Sequence, residues 1–297
     1  MNSNHILKGN GFAYASLTIV NAIASGKGSA FAIDLKAKAR VTLSRGESKI
    51  EVFSRENEDP CLAKICVERC LSALADKGYN TENLNAKVEI ASDIPVAQGL
   101  SSSSAVANAV ILAVLDAFQA RNEFSAEEIL KLNVDASIKS RVSITGALDD
   151  ASASLLGGIC LCDNLSKKIL LRKKFPKKYK AVVFVSKERC YTKDVNVQKI
   201  KILKNPISFI FENLLRNFSK EVLFDTMLIN GLLYSTALGY DPRPIYDSIL
   251  NHAITAGLSG TGPAFYAIIP EEISAEFLAE MKKFVNGYTP ILVDIIR

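Results

Sequence analysis

The spacing of apolar residues divides the chain into strands and helices. Gly11 to Ile23, Ala30 to Leu43 and Lys49 to Phe53 carry β-branched and alternating apolar positions, broken at Gly26-Lys27-Gly28 and Arg45-Gly46, and predict strands. Pro60 opens a helical period reaching about Lys77; Asn85 to Ala91 then sets Ala86, Val88 and Ile90 against Lys87 and Glu89, a half-buried strand. Ser101 to Gln119 is apolar nearly all round and predicts a helix buried on every side, while Ser125 followed by Glu128 predicts a capped start to the next. After Asp150 come a short helical stretch and the strand Ile159 to Asp163. The remainder predicts strand Ala181 to Ser186, helices from about Val195 to Gly239 and from Pro244 to Asn251, strand Ala264 to Ile269, helix Ser274 to Val285 and strand Ile291 to Ile296. No repeat of fixed period is visible, and the order of elements predicts two α+β units, residues 1–165 and 166–297, meeting near Asp163 to Ser166.

Composition narrows the class. With 297 residues, 48% hydrophobic and 23% charged, the chain has material for about two domain-sized units and excludes disorder. The longest apolar stretch, Ala105 to Leu115, is interrupted by Asn108 and closed by Asp116, short of the ~18 residues a membrane span needs. Met1 to Gly9 lacks a basic start followed by an apolar segment, so a cytoplasmic protein is expected, with no membrane partner. Six cysteines are too sparse for a disulfide scaffold, and without a Cys-x-x-Cys pair and with only His5 and His252 they do not form a zinc set. Cys61, Cys66 and Cys70 fall on one predicted helix and Cys160 and Cys162 on one strand, placements that suit buried thiols.

The net charge of +5 is concentrated in Lys167 to Lys180, which holds eight basic residues and no acid. Only Phe175 and Tyr179 offer stacking surfaces there, so the run reads as a solvated strand, turn and strand with Phe175-Pro176 at the turn, and no nucleic-acid partner is expected.

Three segments carry candidate chemistry. Pro95 to Ala105, with Gly99, Leu100 and the four hydroxyls Ser101, Ser102, Ser103 and Ser104, runs from a strand end into the buried helix. Small residues at a helix N-terminus let an anion reach unpaired N–H groups, so the segment reads as a phosphate cradle; a plain N-cap would need only one serine. Gly26-Lys27-Gly28-Ser29 is not a Walker loop, because Asn21 stands where the first glycine belongs and Ser29 is one residue late. Thr145 to Gly158 sets Asp149 and Asp150 beside small residues, where capping and catalysis both fit. Gly257 to Ala264 puts Gly260 and Gly262 in a glycine-rich turn before an apolar strand.

In this order the three segments resemble those of the galactokinase, homoserine kinase, mevalonate kinase and phosphomevalonate kinase superfamily, the GHMP kinases. Its second motif, Pro-x-x-x-Gly-Leu-Gly-Ser-Ser-Ala-Ala, is met by Pro95, Gly99, Leu100, Ser102, Ser103 and Ala105, with Ser101 for the third Gly and Ser104 for the first Ala. Its third motif is met by Gly257 to Gly262. The opening Gly9 to Asp34 and Thr145 to Ala151 look like the archaeal-type shikimate kinase branch.

The resemblance implies a ribosomal protein S5 domain 2-like N-terminal unit, a ferredoxin-like C-terminal unit, and phosphorylation of the shikimate 3-hydroxyl by ATP with Mg²⁺, a step toward aromatic amino acids. The family's aspartate lies seven residues before its Gly pair, which gives Asp150 as base, with Asp149 as runner-up. The Ser-rich loop would hold phosphates and the Ser103 hydroxyl would meet Mg²⁺. Lys27 would neutralise phosphate charge or pair with the shikimate carboxylate, and Asn21 and Ser29 would meet substrate hydroxyls. Lys139 stands where related kinases carry a metal-binding Glu, which leaves the acidic ligand open. Alternatives are a GHMP kinase acting on homoserine, mevalonate or a sugar, a non-catalytic GHMP-fold sensor, and a nucleic-acid binder using the basic run.

Overall fold

The computed structural model describes residues 6–54, 59–191, 195–284 and 286–297; Met1 to His5 and Val285, which enter the sequence reading, lie outside them. The first half comprises β1 (Leu7–Val20), β2 (Lys27–Arg45), β3 (Ile50–Ser54), α1 (Cys61–Asp76), β4 (Leu84–Ser92), α2 (Ser102–Ala117), α3 (Ala126–Lys139), α4 (Leu148–Leu156), β5 (Ile159–Asp163) and β6 (Lys168–Lys173). The second comprises β7 (Tyr179–Ser186), α5 (Val197–Lys201), α6 (Lys204–Arg216), α7 (Lys220–Leu238), α8 (Arg243–Leu250), β8 (Thr255–Leu258), β9 (Phe265–Pro270), α9 (Ser274–Phe284) and β10 (Tyr288–Val293).

β2 organises the first sheet. It pairs antiparallel with β1 along most of its length, with β4 through Ala37 to Arg45 and with β5 through Lys27 to Phe31. Its second half alternates buried Ala37, Ala39, Val41 and Leu43 with the more exposed Lys38, Arg40, Thr42 and Ser44, the period of a strand covered on one side. α2 lies in that cover and is buried from Ser104 to Leu115, as its uniformly apolar sequence predicts. The second sheet, ordered β10-β7-β9-β8, is antiparallel throughout.

Helix directions place the site. Just beyond α1, Tyr79 stacks edge-on against Phe118 just beyond α2, with centroids 5.7 Å apart, so these two helices run the same way. Lys77, past the end of α1, pairs with Glu128 in the first turn of α3 at 3.0 Å, and Lys139 in its last turn lies 3.8 Å from Glu68. α3 therefore runs opposite to both, and its C-terminus lies at the end where α2 begins. Its start carries the capping box read from Ser125 and Glu128.

Several expectations are corrected. The basic run is no hairpin: β6 pairs with β5 in the first sheet, whereas β7 lies inside the second. Phe175, 1% exposed, pins the crossing between them with its ring 4.8 Å from that of Phe31 and 6.3 Å from that of Phe224. Lys167 is 2.8 Å from Asp135 and Lys180 is 2.9 Å from Asp294, so part of the run's charge is paired within the chain. α4 begins at Leu148, so Asp149 and Asp150 lie within its first turn rather than ahead of it. Gly257 and Leu258 belong to β8, held by pairing with β9, so the turn starts later than glycine content suggests. The last strand ends at Val293, and the residues after it cross back: Asp34 N–H donates to Asp294 O, Ile296 N–H to Ala32 O, and Gly158 N–H to Ile296 O. The thiols of Cys66, Cys70, Cys160 and Cys162 are free and buried, and burial pushes Cys66 up to about 12.

Candidate active site

The loop from β4 to α2 ends in an open helix terminus. Ser101 sits in the left-handed region at φ 57°, and no side chain caps the helix. Ser102, Ser103 and Ser104 occupy the first turn, where backbone N–H groups have no partner within the helix, and no acid stands among them. Gly99 is required by geometry: its φ is 77°, and a Cβ there would lie 2.1 Å from the Ser259 carbonyl oxygen. That close approach joins the second and third motifs, with Ser259 Oγ donating to Gly99 O at 2.8 Å and Gly260 N–H donating to Thr18 Oγ1 at 2.8 Å.

Gln98 fixes the loop from the other side. Its buried amide nitrogen donates to Ser186 O and Glu188 O at 3.1 and 2.7 Å, and its carbonyl accepts from Ser186 N–H at 2.9 Å. Sequence reading passed over Gln98; a long polar side chain between an apolar run and Gly99 was the available signal.

Asp150 faces this terminus, half-buried. Ser16 Oγ, from β1, lies 3.1 Å from Asp150 Oδ1 and 2.7 Å from Ser101 Oγ, linking carboxylate and loop. Burial and the neighbouring Asp149 carboxylate push Asp150 up, to about 7, against the opposing pull of the Ser101 and Ser16 hydroxyls. Ser16 escaped sequence reading because nothing separates a buried strand serine from a filler residue.

Asp149 is held differently. It is 4% exposed, accepts from Asn164 Nδ2 at 2.8 Å, and burial raises it too, partly offset by that bond. A Cβ on Gly28 would lie 2.2 Å from Asp149 Oδ2, so this glycine makes room for the carboxylate. Asn108 Nδ2 donates to Ala151 O, and Asn133 Nδ2 lies within reach of Ser104 O and Asn108 Oδ1, so buried amides lock α2, α3 and α4 together.

Part of this set lines a cavity of about 630 Å³. Gly99, Leu100, Ser101 to Ser104, Asp149, Asp150, Gly260 and Asn21 reach it, but Asn21 spends its side chain on the protein, donating to Gly260 O at 2.8 Å and accepting from Ile23 N–H at 2.9 Å. Pro95, Lys27, Ser29 and Gly262 are not among its lining residues. Lys27 Nζ lies 2.6 Å from Glu212 Oε1 and 5.9 Å from the Phe211 ring centre, while Ser29 is fully buried in the sheet. Lys139 also lies away from the cavity, beside Glu68. No group of three metal-ligating side chains occurs among the described residues.

The family pattern "GHMP kinases N terminal domain" matches residues 65–158. The chain is 36% identical to the shikimate kinase of Methanothermobacter thermautotrophicus, over 89% of this chain and 88% of that one. Its identity to the shikimate kinase of Pyrococcus abyssi is 40%, over 90% and 94%. The chain belongs to the archaeal shikimate kinase family of the GHMP kinases. The family fold is an α+β GHMP kinase fold, shared with the mevalonate kinase of Methanococcus jannaschii (TM-score 0.72, 18% identity, 100% of this chain and 99% of that one). The homoserine kinase of Cytophaga hutchinsonii superposes similarly (TM-score 0.75, 16% identity, 100% and 96%). As a GHMP kinase, the chain takes ATP as its phosphate donor. No helix among the described residues is long and apolar enough to cross a membrane.

Proposed function

We propose that this kinase transfers the γ-phosphoryl group of ATP to the 3-hydroxyl of shikimate, as its relatives' name indicates for them, and does so in the cytoplasm. The observation that carries the site assignment is the Ser101–Ser16–Asp150 link, which joins a carboxylate to an uncapped helix N-terminus in one cavity.

The open N–H groups of Ser102 to Ser104 bind phosphate oxygens with help from the helix dipole. Asp150 accepts the proton of the attacking hydroxyl, the new oxygen–phosphorus bond forms, and the bridging oxygen leaves with ADP. A carboxylate raised toward neutrality is a better proton acceptor than an ordinary aspartate, yet is ionised in about half the molecules near pH 7. Burial, and after it the neighbouring Asp149 carboxylate, keeps that value high.

The oxygen donors fit Mg²⁺, a hard cation that keeps water and phosphate ligands: the Ser103 hydroxyl, with the Asp149 carboxylate lining the same cavity, would hold it. When bound, it neutralises phosphate charge. Asn21 serves as a brace between the β1–β2 turn and the Gly260 loop, and Lys27 is assigned no part in transfer.

The test is ADP release by purified protein with Mg²⁺-ATP and shikimate, homoserine, mevalonate or galactose in parallel. Turnover with shikimate alone is expected. Turnover with another acceptor would replace the substrate and keep the phosphate site; silence with every acceptor, from folded protein that binds ATP, would favour a sensor.

A further inference from the structure

We propose that Arg141 is a phosphate-binding residue of this active site, its guanidinium taking the phosphate chain of the nucleotide. The inference rests on the reading of the Ser-rich loop as the ATP site. Among the described residues lining the cavity, Arg141 is the one cation, against the carboxylates of Asp59, Asp149 and Asp150. A triphosphate brings several negative charges into that acid-bearing space, and Lys27, the cation expected from sequence, is engaged with Glu212 outside it. Arg141 is exposed and forms no ion pair among the described residues.

Its position selects the nucleotide rather than the acceptor. Arg141 follows the last turn of α3, which ends beside the N-terminus of α2. Asn133, two turns earlier on α3, already donates to Ser104 O at 3.0 Å. A guanidinium there projects from the same end of the helix layer as the Ser102–Ser104 N–H groups, and its planar fork suits phosphate oxygens.

The backbone supplies a second, independent observation. Arg141 N–H donates to Ile138 O at 3.1 Å and Val142 N–H donates to Ser137 O at 3.2 Å, the paired bonds of a helix end whose turning residue is left-handed. Glycine usually fills that place because a Cβ is strained there, yet here it is arginine at φ 61°. A strained backbone carrying a charged side chain into a cavity points to a use for that side chain.

The experiment measures binding of adenosine, AMP, ADP and ATP, each with Mg²⁺, to the wild type, R141G and R141K by calorimetry, with melting temperatures and KM for both substrates. In R141G we expect ATP affinity to fall about 10- to 100-fold, the range of a charge-assisted contact, with adenosine unchanged and the loss growing with phosphate number. The melting temperature should hold or rise, since glycine suits the left-handed position. R141K should recover part of the loss. Unchanged ATP affinity, or equal loss for adenosine and ATP, would overturn the proposal. So would a raised shikimate KM with ATP binding intact, which would make the acceptor carboxylate the ligand. If wild-type protein binds ATP but does not phosphorylate shikimate, the substrate reading fails while the nucleotide series still decides the role of Arg141.

Discussion

Two short segments of this chain, Gly26 to Ser29 and Gly99 to Ser104, are built from the same small residues and have opposite fates. In the first, Gly28 makes room for Asp149, Ser29 is sealed in the sheet and Lys27 is paired with Glu212. In the second, Gly99 presses against the Ser259 carbonyl, and Ser101 to Ser103 beyond it stay half-exposed at the mouth of a helix. Glycine and serine admit close approach in both. What decides between packing and ligand binding is whether the adjoining backbone N–H groups are already used. Ser29 pairs with Leu161 and Val20 across β2, whereas a helix's first turn has nothing to pair with.

The sharpest test of that contrast is Asp150→Ala, beside the open loop. Turnover should fall about a hundredfold or more with ATP binding nearly intact, read by steady-state kinetics and calorimetry. Near-normal turnover, with Asp149→Ala inactive instead, would move the base toward the packed segment.

The pH profile comes next. Proton acceptance needs ionised Asp150, so kcat/KM should fall about tenfold per pH unit below about 7 and level off above it. Stability should move the other way. A carboxyl raised from 3.8 to about 7 on folding gives a contribution that is full below 3.8 and fades as pH rises to about 7. Melting temperatures at pH 5 and pH 8, compared with those of Asp150→Asn, check the sign; a wild type relatively more stable at the higher pH would refute it.

Ser103→Ala should weaken the Mg²⁺-ATP complex roughly tenfold while leaving shikimate binding alone, and equal loss of both would remove its assigned role. The smallest effect is expected from Lys27→Met: turnover within about twofold and stability within about 1 kcal/mol, as for a partly exposed ion pair. A tenfold loss of turnover from a variant with an unchanged melting curve would put the first segment back in the site.

The strands and helices were legible because burial imposes its period: the alternation in β2 and the all-apolar α2 are direct images of what covers them. The Ser-rich loop and Asp150 were legible through motif spacing. Ser16, Gln98 and Arg141 were not, since each becomes meaningful only when a distant segment is brought beside it: Ser101 for Ser16, the end of β7 for Gln98, the start of α2 for Arg141. The pairing of Lys27 was hidden for the same reason, because its partner Glu212 lies on α6 and no local pattern announces the pair.

The return of Asp294 to Ile296 to the first sheet bears on how the protein is made. Ala32 and Asp34 bond to residues that leave the ribosome long after the rest of the first sheet. Translation is slow beside elementary folding events, so the nascent first sheet waits with β1 in place but Ala32 O and Asp34 N–H without these partners. Full locking of β2 therefore waits for Asp294 to Ile296, and a ribosome stalled before Asp294 should display a chain whose first half is measurably easier for a protease to cut than that of the released enzyme.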